Sequence, residues 1–145
     1  MPEKQQSYAN HTRWYPLVHF VTFPILVLNF LYQAFRLYQE PSIDRAVWVV
    51  LCVVFMLIVL TSRLQALKAQ DRTIRLEERL RYRELLSPEL AKRACELPTG
   101  KIISLRFASD EELPELITQV LDGKLNTGKE IKTAIKNWRG DYLRV

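Results

Sequence analysis

A chain of 145 residues has the length of one ordinary domain, yet only 4 of its 21 Lys and Arg residues and 3 of its 16 Asp and Glu residues come before residue 60. The early part is therefore apolar, and the later part mixes both signs of charge, which suits a solvated helical surface better than a nucleic-acid footprint, whose charge would be more one-sided. The roughly 80 residues outside the apolar part are near the lower limit for a self-sufficient core, which points to self-association or a partner.

Residues 1–14, MPEKQQSYANHTRW, form a polar, aperiodic segment. It lacks the features of a cleavable signal: basic residues are few, the apolar run behind it is too long, and no small-x-small site comes after it. Residues 15–37 begin YPLVHFVTFPILVLNFLYQAF, the length of one membrane crossing. Trp14 and Tyr15 at one end, and Tyr32, Phe35 and Tyr38 at the other, suit the two interfaces. Pro24 should remove one helical hydrogen bond and kink the helix near Phe20. His19, Thr22, Asn29, Gln33 and Arg36 fall at steps of three and four once Leu26 fills the gap, and predict one polar stripe along this crossing. A packing seam is the expected role, with Asn29 and Gln33 bonding to the second crossing or to another copy. A proton relay would want a buried acid, and the stripe has none.

Gln39–Asp44 is a short turn, with Ser42 placed to cap the second helix. From Ser42 to Ser87, between Pro41 and Pro88, there is neither Gly nor Pro. Residues 43–62 of this stretch are a second crossing, and the stretch from Ala46 to Leu86 predicts one unbroken helix. Residues 63–86 form a charged juxtamembrane continuation, in which Asp71–Arg75 and Glu77–Arg81 are favourable i,i+4 pairs. Leu60, Leu64, Leu67 and Ile74 start like a heptad seam, but the same phase brings Asp71 and Glu78 to core positions, which argues against a long coiled coil. Arg63, Lys68, Arg72 and Arg75 crowd the exit from the second crossing. They are candidates for holding anionic lipid headgroups, and by the positive-inside rule they put both termini in the cytoplasm.

Residues 87–145 break into short segments, each with its own start signal, and predict three or four helices. Ser87-Pro88 opens one and Pro98-Thr99-Gly100 another. Ser109 to Glu112 reads as a capping box closed later by Gly123, and Thr127 to Glu130 reads as a second box opening EIKTAIKNW. Leu90, Ile102, Leu105, Phe107, Leu113, Leu116, Ile117, Val120, Leu121, Ile131, Ile135 and Trp138 are the expected core, and the tail from Gly140 is irregular.

No catalytic constellation stands out along the chain. His11 and His19 are its only histidines, both near the start, and there is neither a paired-His metal motif nor a glycine-rich phosphate loop. Asp110, Glu111, Glu112 and Glu115 crowd a helix start, where carboxylates complement the dipole without a metal. Cys52 and Cys95 fall in different compartments of this reading, so no disulfide is expected. Lys129, Lys132, Lys136 and Arg139 would share a face of the last helix and imitate a DNA reader, but a solvated or membrane-facing role is preferred.

Four strings, SYANHTRWYPLVHF, ALKAQDRTIRLEERLR, ISLRFASDEELPELI and WRGDYLRV, together resemble a family of small bacterial membrane proteins known only as a domain of unknown function. The resemblance spans nearly the whole chain. It implies a two-crossing bacterial inner-membrane protein, and it carries no activity, cofactor or catalytic residue over to this sequence.

The expectation is therefore an all-α membrane protein: a two-helix transmembrane hairpin whose second helix extends into the cytoplasm, with three or four short helices after it. Its expected function is non-enzymatic, as an interaction or accessory protein of a membrane complex, without cofactor. The alternative is a membrane-tethered DNA-binding regulator, although nucleic acid is not the expected partner.

Overall fold

The computed structural model describes Ser7, Tyr8 and residues 15–141. Trp14, His11 and the tail beyond Asp141 lie outside the described residues. Among the described residues the structure is all-helical, with six α-helices, no strand, and one isolated antiparallel bridge between Ala108 and Trp138. The chain divides into two compact units. One holds α1 and the first part of α2 up to Leu67, and the other holds the rest of α2, from Lys68, with all later helices.

The first unit begins with a π-helical segment, Leu17–Thr22, which runs into α1 (Phe23–Gln39). Pro24 stands in the first turn of α1. A proline ring clashes with the carbonyl four residues back, here that of Phe20, and a turn widened to the π geometry relieves it. The Phe23 N–H accordingly donates to the carbonyl of Val18, five residues back. The predicted kink is thus absorbed as a wider turn.

Only Glu40, Pro41 and Ser42 separate α1 from α2 (Ile43–Leu85). Ser42 caps α2 as its type predicts: its hydroxyl accepts from the Arg45 N–H at 3.3 Å and its carbonyl from the Ala46 N–H at 3.0 Å. The Arg45 guanidinium donates to the carbonyls of Arg36 (3.0 Å) and Glu40 (2.9 Å) and pairs with the Glu40 carboxylate. That partner holds the Glu40 carboxyl below its ordinary range.

Helix α2 runs without a break through Thr61 and Ser62. A hydroxyl at Thr61 could have capped a new helix, but it turns back to the carbonyls of Leu57 (2.8 Å) and Ile58 (3.1 Å) on its own helix.

In the second unit, α3 (Pro88–Cys95) starts at Ser87, whose hydroxyl accepts from the Leu90 N–H. After it come α4 (Thr99–Leu105), α5 (Leu113–Leu121) and α6 (Gly128–Ala134). Gly123 ends the α5 region with φ of 76°, a conformation that favours glycine, and Lys124 N–H reaches back to the Gln119 carbonyl at 2.9 Å. The Thr127–Glu130 capping box is complete in both directions. Every residue expected in the core belongs to one apolar cluster, joined by Tyr82 and Leu86 from the C-terminal end of α2 and by Ala91, Ala94 and Ala108. Phe107 stacks against Trp138 at 4.9 Å between ring centroids.

Two local expectations are corrected. Ser109 does accept from the Glu112 N–H at 3.3 Å, but the Glu112 carboxylate does not complete a capping box. It takes the backbone N–H groups of Lys136 (3.1 Å) and Asn137 (2.8 Å). For the same reason α6 stops at Ala134. Ile135 turns extended and buried, and the next residues pair with 107–109, Ser109 N–H to Asn137 C=O at 3.1 Å and Arg139 N–H to Phe107 C=O at 2.8 Å. The backbone groups of this segment find partners across the fold rather than along a helix.

Candidate functional site

Charge collects where the last turns of α2 meet the 106–110 connection and the 138–141 segment. Glu78 and Arg81 are one helical turn apart on α2, with the Arg81 Nη1 at 3.2 Å from a Glu78 oxygen. Arg81 also donates from Nε to Asp110 (2.8 Å) and from Nη2 to the Ala108 carbonyl (2.7 Å). All three of its nitrogens are therefore committed within the chain. Arg106, as buried as Arg81, donates to Asp141 (2.8 Å) and to the Ile103 carbonyl (3.0 Å), with its guanidinium 4.2 Å from the Phe107 ring centre. Arg139 is exposed and stands 4.0 Å from the other Glu78 oxygen. A cluster of this kind ties three chain segments together, because Glu78, Arg81 and Arg106 are buried and each is matched there by an opposite charge.

Glu78 is only 5% exposed, and burial raises its carboxyl above the ordinary range by more than Arg81, Arg139 and Arg106 draw it down. Tyr82, one turn further along α2, is fully buried. Its hydroxyl has no hydrogen-bond partner among the described residues, and burial pushes its ionisation well above the usual phenol range.

Beside this cluster α2 forms one wall of an open groove of about 730 Å³. Ile74, Glu77, Leu80 and Glu84 line it from the helix, and Arg106, Asp110 and the 139–141 segment line it from the other side. Leu80 is 53% exposed there, and Leu85 at the rim is 39% exposed.

On α1 the Asn29 amide reaches α2, donating to the sulfur of buried Cys52 at 3.1 Å. A ring nitrogen of His19 lies 2.9 Å from the carbonyl of Tyr15, one turn back on its own helix. The Arg36 guanidinium reaches the Tyr32 hydroxyl at 3.4 Å, and its carbonyl serves the turn through Arg45. Thr22 and Gln33 are half-exposed. Of the candidate headgroup residues, Lys68 and Arg72 are exposed and Arg63 and Arg75 half-exposed. Lys68, Arg72 and Arg75 form no ion pair among the described residues. The last-helix lysine line is split, since Lys136 and Arg139 lie beyond the end of α6. The expected Glu77–Arg81 pair gives way to Arg81 with Glu78 and Asp110. Among the described residues no group of three or more His, Cys, Asp or Glu side chains is arranged to hold a metal ion.

Sequence reasoning missed this cluster, although one signal was present. Glu78 falls on the apolar phase that runs through Leu60, Leu64, Leu67 and Ile74, and an acid at a core position implies a buried cation facing it. No curated protein and no solved structure matches the chain. A family profile does match, over residues 1–145, and on that ground the chain belongs to the family of unknown function DUF6526.

Proposed function

We propose that this chain is a non-enzymatic accessory protein of the bacterial inner membrane. In this reading α1 and α2 form a transmembrane hairpin, both termini are cytoplasmic, and the unit from Lys68 onward is an interaction module for a larger membrane assembly. One observation carries the reading: Leu17–Gln39 and the apolar part of Ile43–Leu85 are each long and apolar enough to cross a bilayer, and the apolar side chains along both are turned outward. Phe20 and Leu28 are each 66% exposed, a state that water would penalise along the full length of both helices and that lipid would favour. The three-residue connection leaves no room for a domain on its side. Lys68, Arg72 and Arg75, without intrachain ion pairs among the described residues, suit anionic headgroups at about 1 kcal/mol each.

The test is fractionation and then reporter fusion. Alkaline carbonate should leave the protein in the membrane fraction and detergent should release it. Fusions at residue 6 and at residue 145 should both report the cytoplasm. Release by carbonate alone would overturn the anchoring, and a periplasmic signal from the C-terminal fusion would overturn the topology.

A further inference from the structure

We infer that the groove along the last turns of α2 is the docking site of a basic amphipathic helix from a partner protein. The inference rests on the reading of this unit as an interaction module and names the surface and the chemistry it recognises.

The groove's arginines do not make it an anion site. Arg81 is spent on Glu78, Asp110 and a carbonyl, Arg106 on Asp141 and a carbonyl, and Arg139 faces Glu78. The charges left over are acidic. Glu77 and Glu84 are exposed, line the groove and form no ion pair among the described residues. They are seven residues apart, two turns on one face of α2, so their Cα atoms are separated by about 10 Å along the axis. Leu80 lies between them on the same face and is half-exposed, with Leu85 beside Glu84.

This surface has an apolar centre with one carboxylate at each end. It complements a helix that carries Lys or Arg seven residues apart with a Leu- or Ile-type side chain midway between them. The wall from Ile74 to Leu85 is about 16 Å long, three helical turns, which suits a helix laid along α2 better than a single side chain inserted end-on. Two exposed carboxylates repel an anionic bilayer surface, so lipid headgroups do not fit here. A second copy of this chain is the other occupant the experiment separates.

The probe is a synthetic amphipathic helix with Lys at the seven-residue spacing and Leu between, paired with a twin in which Glu replaces Lys. Both are titrated against the full-length protein in zwitterionic nanodiscs. The variants are Glu77→Lys/Glu84→Lys, which reverses the rim, and Leu80→Ser, which removes the apolar centre. All altered side chains are exposed, and circular dichroism checks that the fold persists. The Lys peptide should bind the native protein in a salt-sensitive manner. The charge reversal should weaken it about tenfold and transfer preference to the Glu twin. Leu80→Ser should weaken both peptides. Equal binding to native and reversed proteins, no binding of either peptide, or self-association that disappears in the reversed variant would each overturn the proposal. The carbonate fractionation is run on the cell membranes from which the same proteins are purified. A protein that stays in the membrane yet shows no charge swap refutes the groove alone, whereas one released by carbonate refutes the anchoring on which it rests.

Discussion

The Ser104 hydroxyl occupies the space that a side chain on Gly128 would need: a Cβ at Gly128 would stand 2.6 Å from the Ser104 oxygen. Gly128 opens α6, Ser104 sits near the end of α4, and the two helices pack directly on each other. The hydroxyl is fixed by its own bond to the Gly100 carbonyl at 2.9 Å, so it does not simply swing aside. Gly128 is thus required for close approach and not for an unusual backbone angle.

Gly128→Ala should destabilise the unit by about 1–3 kcal/mol, the usual cost of overpacking. Adding Ser104→Ala should recover part of the loss. Urea unfolding of the detergent-solubilised protein measures both. If the two changes add independently, the contact does not limit the approach of α4 to α6.

Glu78 makes stability depend on pH in a defined direction. Its folded carboxyl titrates above the ordinary value of 4.5, because burial outweighs the pull of Arg81, Arg139 and Arg106. The folded chain therefore holds this proton more tightly than the unfolded chain does. The resulting stabilisation is full below 4.5 and is lost as pH rises through the raised value. Glu78→Gln keeps the shape and an acceptor for Arg81 but cannot titrate. The difference in urea midpoint between variant and native protein should shift in favour of the variant as pH rises above 4.5. A pH-independent difference would mean that Glu78 does not titrate in this window.

Tyr82→Phe should leave stability unchanged or raise it by up to about 1 kcal/mol. The change deletes a buried hydroxyl that has no partner among the described residues, along with its desolvation cost, and keeps the ring that fills the core. Thermal unfolding reads the sign. A clear loss of stability would reveal a hydrogen bond made by this hydroxyl in solution.

Between the two apolar helices, Asn29→Leu and Cys52→Ala should each weaken helix association by about 0.5–2 kcal/mol, the range for polar contacts inside a bilayer. Because the Asn29 amide donates to the Cys52 sulfur, the two losses should not add in the double variant. Reversible unfolding in bicelles tests this. Full additivity would assign the two residues to separate contacts.

Much of the fold was legible because its signals are local. The run without Gly or Pro forms α2, and Ser42, Ser87, Thr127 and Gly123 mark their helix ends by side-chain or backbone chemistry that acts within four residues. The misreadings in the second unit concern groups recruited from a distance. Glu112 has the spacing of a local cap but serves the backbone of residues 136 and 137, and Arg81 passes over Glu77 for Asp110, far along the chain. Lys136 and Arg139 keep helical spacing in the sequence, yet the chain there is drawn into pairing with 107–109. The groove was illegible for the same reason: its walls come from three segments that only the packed core brings together.

Pro24 has a consequence beyond the local strain it relieves. The wide turn at Leu17–Thr22 spends one residue more than an α-turn would, and each helical residue carries about 100° of rotation. The residues before it, Tyr15 and Pro16, are therefore turned by roughly that angle away from the azimuth a uniform helix would assign. His19 lies inside this wide turn, so the α-helical spacing that would align it with Asn29 and Gln33 does not hold there. In this chain a proline works as a rotational setting: exchanging it for a residue that permits a plain α-turn would re-aim one end of α1 while leaving the Asn29 contact where it is.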